Sequence, residues 1–195
     1  MKTLQEYQEM LQSNLDAMRY EHSLGVMYTA AALAMRYGAD VNRCMIAGLL
    51  HDCAKCIPSG EKIAICEANH LPVSEVERCN PELLHAKLGA YYMRNLYQVE
   101  DKTLLDAVVW HSTGRPNMNL YDKIIYVADY IEPHRTKAPD LPAIRRLAFE
   151  DIDECLYQIL GATLRYLADK EDAIDPMTRR TYEYYKEQRA IMQEV

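Results

Sequence analysis

The amino-acid sequence predicts an all-α protein, and three observations lead to that expectation. Apolar residues recur at intervals of three, four and seven along nearly every segment, which is the spacing of one helix face. Sustained alternation of apolar and polar residues, typical of a half-buried strand, is missing, and valine, isoleucine and threonine are sparse. The 195 residues are enough for one domain with a full hydrophobic core. We therefore expect residues 1–195 to form a single helical domain.

Residues that begin or end helices set the expected boundaries, each good to a few residues. Gly38 ends the second helix, because glycine readily takes the left-handed conformation at a helix C-terminus. Asp40 caps the third helix, and Pro81 occupies a first-turn position of a later one. In chain order the predicted helices are Leu4–Leu15, Arg19–Tyr37, Val41–Asp52, two short helices starting near Gly60 and Ser74, Pro81–Tyr97, Asp101–His111, Leu120–Ile131, Pro142–Phe149, Asp151–Leu167 and Pro176–Gln193.

The composition indicates a cytoplasmic protein without a membrane or nucleic-acid partner. The N-terminus is polar, and no apolar stretch approaches the ~20 residues that span a bilayer. A formal net charge of −7 argues against nucleic-acid binding, since proteins that bind nucleic-acid phosphates are usually basic. The six cysteines are expected to stay as thiols. We interpret the C-x-x-C formed by Cys53 and Cys56 as two small buried residues at a helix end, rather than as a redox or zinc motif.

Polar side chains occupy the apolar faces of several predicted helices. His22 shares a stripe with Val26 and Leu33, and His51 follows Cys44 on one face. The inward-facing set contains four histidines and two aspartates: His22, His51, Asp52, His85, His111 and Asp129. One such histidine alone is usually a satisfied core residue. A buried polar group without a partner costs roughly 1–3 kcal/mol, however, so six of them from five helices predict a metal site.

The residue types at this predicted site limit the choice of metal. Imidazole and carboxylate together suit iron, manganese, cobalt, nickel or zinc. A closed structural zinc site is disfavoured, because no cysteine is needed to complete the set. The two remaining histidines fit less well: His70 falls in a predicted loop and is expected to be exposed, and His134 lies in a polar turn as a peripheral contact.

The order His22, His51-Asp52, Asp129 resembles the H…HD…D signature of the HD-domain superfamily of metal-dependent phosphohydrolases. The flanking residues resemble, in the same order, the motifs of the bacterial YqeK family, whose members are symmetrical dinucleoside tetraphosphatases. The segments that carry this resemblance are Arg19-Tyr20-Glu21-His22-Ser23, Leu49-Leu50-His51-Asp52-Cys53-Ala54-Lys55, Leu84-His85-Ala86, Trp110-His111-Ser112-Thr113-Gly114 and Ala128-Asp129-Tyr130-Ile131-Glu132-Pro133-His134-Arg135. The resemblance covers roughly residues 19–180, and Ser112 stands where the family often has a threonine.

The resemblance implies a single HD-domain helical bundle around a metal centre. It places the motif core at about residues 19–135, with C-terminal helices at about residues 142–193 packed on it. It implies bound iron, as one or two ions, with manganese, cobalt or zinc as alternatives. The implied reaction is the symmetrical hydrolysis of diadenosine tetraphosphate into two ADP by metal-activated water. Carried over by position, the metal ligands are His22, His51, Asp52 and Asp129.

The resemblance also implies roles for residues around the ligands. His85 and His111 would face the metal and bind either a second ion or substrate phosphates, and both alternatives stay open. Thr178 keeps the shape of a C-terminal motif, whereas the residues after it depart from the family. The expected catalytic residues are Asp52, Lys55, His85 and His111, and the expected nucleotide contacts are Arg19, His22, His85, His111, Asp129, Arg135 and Thr178.

Two alternatives to this function stay open at the level of the sequence. The first is another HD-type phosphohydrolase that acts on nucleoside mono- or triphosphates, since its ligand set would be nearly the same. The second is a non-catalytic nucleotide-binding HD domain. Tyr182, Tyr184 and Tyr185 are expected to pack rather than to stack on a base. The apolar and aromatic C-terminal helix also suits a homodimer.

Overall fold

The computed structural model describes residues 2–138, 140–170 and 174–193, with the backbone alone at residues 192 and 193. Those residues contain eleven α-helices, one short 3-10 helix at Pro81–Leu84 and no strand, which confirms the all-α prediction. The helices are α1 Leu4–Gln12, α2 Ala17–Tyr37, α3 Val41–Leu50, α4 Ser59–Ala68, α5 Glu75–Cys79, α6 His85–Asn95, α7 Lys102–Trp110, α8 Leu120–Ile131, α9 Leu141–Glu150, α10 Ile152–Asp169 and α11 Pro176–Gln193.

Side-chain caps explain where several helices begin and end. The Asp16 carboxylate accepts the Arg19 N–H at the start of α2, and Asp40 accepts the Arg43 N–H at the start of α3. Gly38 ends α2 in the left-handed conformation at φ 72°, as the sequence predicts. A capping box at Asn119 begins α8, which spans the predicted residues.

Several predicted helix boundaries differ from the observed ones by a few residues, and three of these differences matter for the site. α3 ends at Leu50 rather than Asp52, which makes His51 its C-terminal cap. α7 likewise ends one residue before His111. Pro81 starts a 3-10 helix, and the α-helix proper begins only at His85. The last carbonyls of a helical segment lack helical partners, so a side chain placed there can bind them.

Helices α2 and α3 cross closely enough to require a glycine. A Cβ atom on Gly48 would lie 3.0 Å from the Cα atom of Met27, so a larger residue there would push the two helices apart. Leu33 and Leu49 are fully buried in the core around this crossing. The close approach brings the N-terminal half of α2 alongside the end of α3.

The C-terminal helices pack on the rest of the bundle: α10 contacts α8, and α11 contacts α10. The buried Tyr185 hydroxyl accepts the Met118 N–H at 3.0 Å, which joins α11 to the loop before α8. Tyr182 stacks on Tyr157 with ring centroids 5.3 Å apart, and Tyr184 packs edge-on against Tyr185. The three tyrosines of α11 therefore pack within the protein. Within the part of the chain that the structure describes, no helix has both the length and the apolar character to cross a membrane.

Candidate metal centre

The six polar residues predicted to face inward converge at one place, from the ends or interior of α2, α3, α6, α7 and α8. Their ring nitrogens and carboxylate oxygens lie 3.1–3.8 Å from one another. These separations are His22 Nε2–Asp129 Oδ1 3.1 Å, His85 Nε2–His111 Nε2 3.2 Å, His85 Nε2–Asp52 Oδ1 3.4 Å, His111 Nε2–Asp52 Oδ1 3.5 Å, His51 Nε2–Asp52 Oδ2 3.7 Å and His51 Nε2–Asp129 Oδ1 3.8 Å.

Three of the histidines are oriented by the helical segments that carry them. His51 Nδ1 lies 2.7 Å from the Gly48 carbonyl oxygen, and His111 Nδ1 lies 2.7 Å from that of Val108. His85 Nδ1 makes the same contact with the carbonyl three residues before it. A carbonyl oxygen only accepts, so each Nδ1 carries the proton and each Nε2 keeps a lone pair. Their Nε2 atoms point into the cluster in the tautomer that binds a metal.

The two aspartates each pair with an arginine and also face histidines of the cluster. Arg19 Nη1 donates to Asp52 Oδ2 at 2.8 Å, while Asp52 Oδ1 faces the rings of His85 and His111. Arg135 Nη2 donates to Asp129 Oδ1 at 3.0 Å. The structure therefore brings Arg19 and Arg135 to the cluster through its carboxylates, a contact that the sequence did not predict.

Burial and mutual contact shift the protonation of this cluster. Burial lowers the pKa of His51 to about 4 and that of His85 to about 3, so both rings stay neutral at physiological pH. Burial opposes ionisation of Asp52 as well, but the facing imidazoles outweigh it and hold its pKa well below the usual range. His22 acts the same way on Asp129, whose pKa is also strongly lowered. Neutral imidazoles beside ionised carboxylates are the ligand forms that a cation needs.

The cluster fits a metal ion on grounds beyond residue type. Nε2 of His22, Nε2 of His51 and Oδ1 of Asp52 are buried without a hydrogen-bond partner. Such atoms are costly unless something binds them. Metal bonds of about 2.0–2.2 Å place neighbouring ligand atoms roughly 3.0–3.5 Å apart, close to the separations here. Two triads have all their ligand atoms within 4.8 Å of one another and share one histidine: His22, His51 and Asp129, and His51, Asp52 and His111.

Lys55 lies at the edge of the cluster, as its position one turn beyond His51 predicts. Its ammonium nitrogen is 3.4 Å from each ring nitrogen of His85. Lys55 is half-buried, and about a third of the Arg19 side chain is exposed. The two residues therefore place positive charge at the solvent side of an otherwise anionic centre. Thr178 is buried in the first turn of α11, where its N–H donates to the Asp175 carbonyl. Its predicted nucleotide contact stays a prediction.

The remaining polar candidates lie outside the cluster. His70 is exposed, as predicted. His134 is also largely exposed, although its N–H donates to Glu132. Cys53 is buried as expected, but Cys56 is exposed, so the prediction of two buried cysteines was half wrong. The Cys53 thiol donates to the Gly89 carbonyl, whereas that of Cys56 donates to Asp16.

Sequence reasoning missed two residues of the site. Ser112 Oγ lies 3.1 Å from His85 Nε2 and 3.2 Å from His111 Nε2. Glu132 is buried, and its Oε1 lies 3.1 Å from His22 Nδ1. Both residues stand in the quoted motif segments, but neither falls on a helical stripe with the histidines. Ser112 follows the end of α7, and Glu132 follows the end of α8. Helical periodicity therefore does not predict the direction of either side chain.

Residues 19–134 match a family model described as HD domain, which is the class that this helical fold and histidine–aspartate cluster define. The symmetrical bis(5'-nucleosyl)-tetraphosphatase of Bacillus subtilis is 42% identical over 85% of this chain and 88% of its own length. A protein of the same name from Halalkalibacterium halodurans is 38% identical over 89% of this chain and 92% of its own. The chain therefore belongs to the HD-domain family and, within it, to the family of these two bacterial proteins.

A solved structure supports the same relationship at the level of the fold. The crystal structure of a protein from Clostridium acetobutylicum, described as a predicted HD superfamily hydrolase involved in NAD metabolism, superposes with a TM-score of 0.92. It is 36% identical in sequence, and the match covers 96% of this chain and 99% of that one. The helical bundle predicted from the resemblance is thus confirmed as the HD-domain fold.

Proposed function

We propose that this protein is a metal-dependent phosphohydrolase that cleaves diadenosine tetraphosphate symmetrically into two ADP. The observation that carries the proposal is the cluster of facing Nε2 and carboxylate oxygen atoms, in which His51 Nε2 and Asp52 Oδ1 are buried without a hydrogen-bond partner. The names of the two relatives supply the substrate class, and the matches to them cover 85% and 89% of this chain.

In this proposal His22, His51, Asp52 and Asp129 hold the metal. The donor set of imidazoles and carboxylates suits iron, and manganese, cobalt or zinc would satisfy it as well. Such an ion, when bound, lowers the pKa of a coordinated water toward neutral and polarises a phosphoryl oxygen. Asp52 divides its two oxygens between the His51 side and the His85–His111 side, so it suits a bridging position if two ions bind.

His85 and His111 would face either a second ion or the scissile phosphates, and Lys55 would meet those phosphates beside them. The His85 and His111 rings point their Nε2 atoms at the same carboxylate oxygen, and the Lys55 ammonium lies against the His85 ring. A tetraphosphate brings several negative charges to a chain of net charge −7. Lys55 supplies a point charge, and Arg19 and Arg135 have guanidinium N–H groups beyond those that bind the aspartates.

Three further expectations are kept as proposals. We propose that the whole chain acts as one domain, which the packing of α10 on α8 and the Tyr185–Met118 hydrogen bond support. We propose a cytoplasmic location. We also propose a homodimer through α11, whose Ile191 side chain is 58% exposed. Light scattering of the purified protein would give twice the chain mass for a dimer and a single mass for a monomer.

The function is tested by metal analysis of anaerobically purified protein, followed by product analysis after incubation with diadenosine tetraphosphate. Near-stoichiometric iron with ADP as the sole product is the expected result. ATP with AMP, or turnover of mononucleotides instead, would contradict symmetrical cleavage and point to another HD phosphohydrolase. Nucleotide binding with no turnover, even after metal reconstitution, would instead favour the non-catalytic binding domain.

A further inference from the structure

We infer that Glu132 is a positioning residue for the metal centre: it holds the His22 ring so that Nε2, rather than Nδ1, faces Asp129 and the metal. This inference rests on the proposed metal site and deepens it. Glu132 Oε1 lies 3.1 Å from His22 Nδ1, and His22 Nε2 lies 3.1 Å from Asp129 Oδ1. The ring is therefore held between two carboxylates, one on each nitrogen.

His22 differs from the other three histidines in its place along a helix. His51 and His111 follow the last residue of a helix, and His85 follows a 3-10 turn, so each binds a carbonyl of its own segment. His22 is the sixth residue of α2, which continues to Tyr37. The carbonyls before it belong to the interior hydrogen bonds of that helix. An orienting acceptor for its Nδ1 must come from another part of the chain.

The space for Glu132 is built into α2. A Cβ atom on Gly25 would lie 2.5 Å from Glu132 Oε2 and within 3.5 Å of two of its carbon atoms. Gly25 lies three residues after His22, on the same side of the helix. Any larger residue at this position would displace the carboxylate from the His22 ring. The absence of a side chain at Gly25 thus gives Glu132 its access.

The backbone that carries Glu132 is itself held in place. Arg145 on α9 donates to the carbonyls of Ile131 at 2.9 Å, Glu132 at 2.7 Å and Arg135 at 3.0 Å. The second carboxylate oxygen of Glu132 accepts the His134 N–H at 2.7 Å. Both carboxylate oxygens of Glu132 have partners, and Arg145 hydrogen-bonds the main chain around it. Glu132 therefore has a defined orientation although it follows the end of α8.

A carboxylate on Nδ1 does two things for a metal-binding imidazole. It keeps the proton on Nδ1, which leaves the Nε2 lone pair for the ion, and it makes that nitrogen more basic. Glutamine at position 132 would keep the volume but lose the charge. It has one acceptor oxygen for two donors, the His22 Nδ1–H and the His134 N–H, so one of the two hydrogen bonds must be lost.

The test compares Glu132→Gln and Gly25→Ala with Glu77→Gln. Glu77 is a matched control, because it is a buried glutamate that forms an ion pair with Lys87. It lies on α5, outside the histidine–aspartate cluster. We expect the dissociation constant for Mn²⁺, measured by equilibrium dialysis, to rise about 10- to 100-fold in the first two variants and to stay unchanged in the control. Thermal denaturation would show whether all three keep the fold.

Nitrogen NMR of the histidine rings in the metal-free protein gives a second readout, independent of activity. At a pH above the pKa of His22, where the ring carries one proton, we expect that proton on Nδ1 in the wild type and a shift toward the Nε2–H form in Glu132→Gln. Unchanged Mn²⁺ affinity together with an unchanged tautomer would overturn the inference. Failure of the wild type to bind metal would contradict the proposed function itself, and the NMR result would still decide what Glu132 does.

Discussion

Arg19 Nη1 lies 2.8 Å from Oδ2 of Asp52, so an arginine expected at the phosphates also holds a proposed metal ligand. The contact fixes the rotation of the Asp52 carboxylate and turns its other oxygen toward His85 and His111. Because about a third of the Arg19 side chain is exposed, its remaining N–H groups can also meet substrate. In the proposed function, Arg19 would therefore join metal binding to substrate binding.

Replacement of Arg19 by alanine should lower kcat/KM for the tetraphosphate about 10- to 100-fold, the usual cost of losing an outer partner of a metal ligand. The kcat/KM of Arg19→Lys should lie between those of the wild type and Arg19→Ala, because lysine keeps the positive charge but lacks the planar guanidinium group. Steady-state kinetics would measure both, with Arg146→Ala as the control, since Arg146 is exposed on α9. Equal activity of Arg19→Ala and Arg146→Ala would show that the Asp52 contact is dispensable.

Replacement of Asp52 by alanine should strongly reduce the production of ADP from diadenosine tetraphosphate. Asp52 faces three of the four histidines of the cluster, and its carboxylate would offset part of the charge of an ion held there. We expect at least about a 100-fold loss of turnover, beyond the range seen for outer partners, together with a fall in bound metal. Metal analysis and product analysis on the same sample would separate the two effects. Turnover that survives in this variant would place the chemistry elsewhere.

Replacement of Gly114 by alanine should destabilise the fold by about 2–5 kcal/mol, from backbone strain plus overpacking. Gly114 has a φ of 64°, and a Cβ there would lie 2.7 Å from Thr181 Cγ2 on α11. Gly38→Ala is the matched control: it has φ 72° with open space around it, so only the strain of about 1–2 kcal/mol applies.

Urea denaturation would measure these free energies of unfolding, and a double variant provides the rescue. Thr181→Ser removes the Cγ2 atom but keeps the hydroxyl that donates to the Met177 carbonyl. The double variant Gly114→Ala, Thr181→Ser should therefore regain the part of the free energy of unfolding that Gly114→Ala loses to overpacking. If Gly114→Ala lowers the free energy of unfolding by no more than Gly38→Ala does, α11 does not pack closely on the loop after His111.

Metal content should not depend on the C-x-x-C pair. Burial raises the pKa of the Cys53 thiol, which disfavours the thiolate that would bind a metal, and Cys56 points outward to Asp16. Metal analysis of a Cys53→Ala, Cys56→Ala double variant should match the wild type, with Cys79→Ala as a control for an exposed cysteine. A clear fall in metal in the double variant alone would reopen the zinc interpretation.

Metal binding should strengthen as the pH rises through the pKa of His22. Burial lowers that pKa, but hydrogen bonds to Asp129 and Glu132 outweigh it, and the net pKa is raised above 6.5. An ion must displace the His22 proton, so affinity falls below this pKa, whereas His51 and His85 are already neutral there. Calorimetric titration with Mn²⁺ in buffers of different ionisation enthalpy should show proton release near neutral pH. Affinity that is flat between about pH 6 and about pH 8 would contradict this assignment.

The sequence by itself determined which helices form and which faces of them are polar. Gly38 and Asp40 mark helix ends through backbone preference and capping, which are local effects, and the structure has both boundaries there. The inward placement of His22, His51 and His111 follows from helical periodicity, which is also local. The group of inward-facing polar residues was therefore predictable before any packing was known, whereas the choice of metal ligands among them came from the family resemblance and stays a prediction.

Only the tertiary structure decided which atoms meet. The pairing of Glu132 with His22 joins residues 110 positions apart, and it depends on the gap at Gly25 and the Arg145 clamp. Ser112 reaches both histidine rings only because α6 and α7 pack side by side. Periodicity specifies the direction of a side chain relative to its own helix, and contacts between helices depend on how whole surfaces fit together.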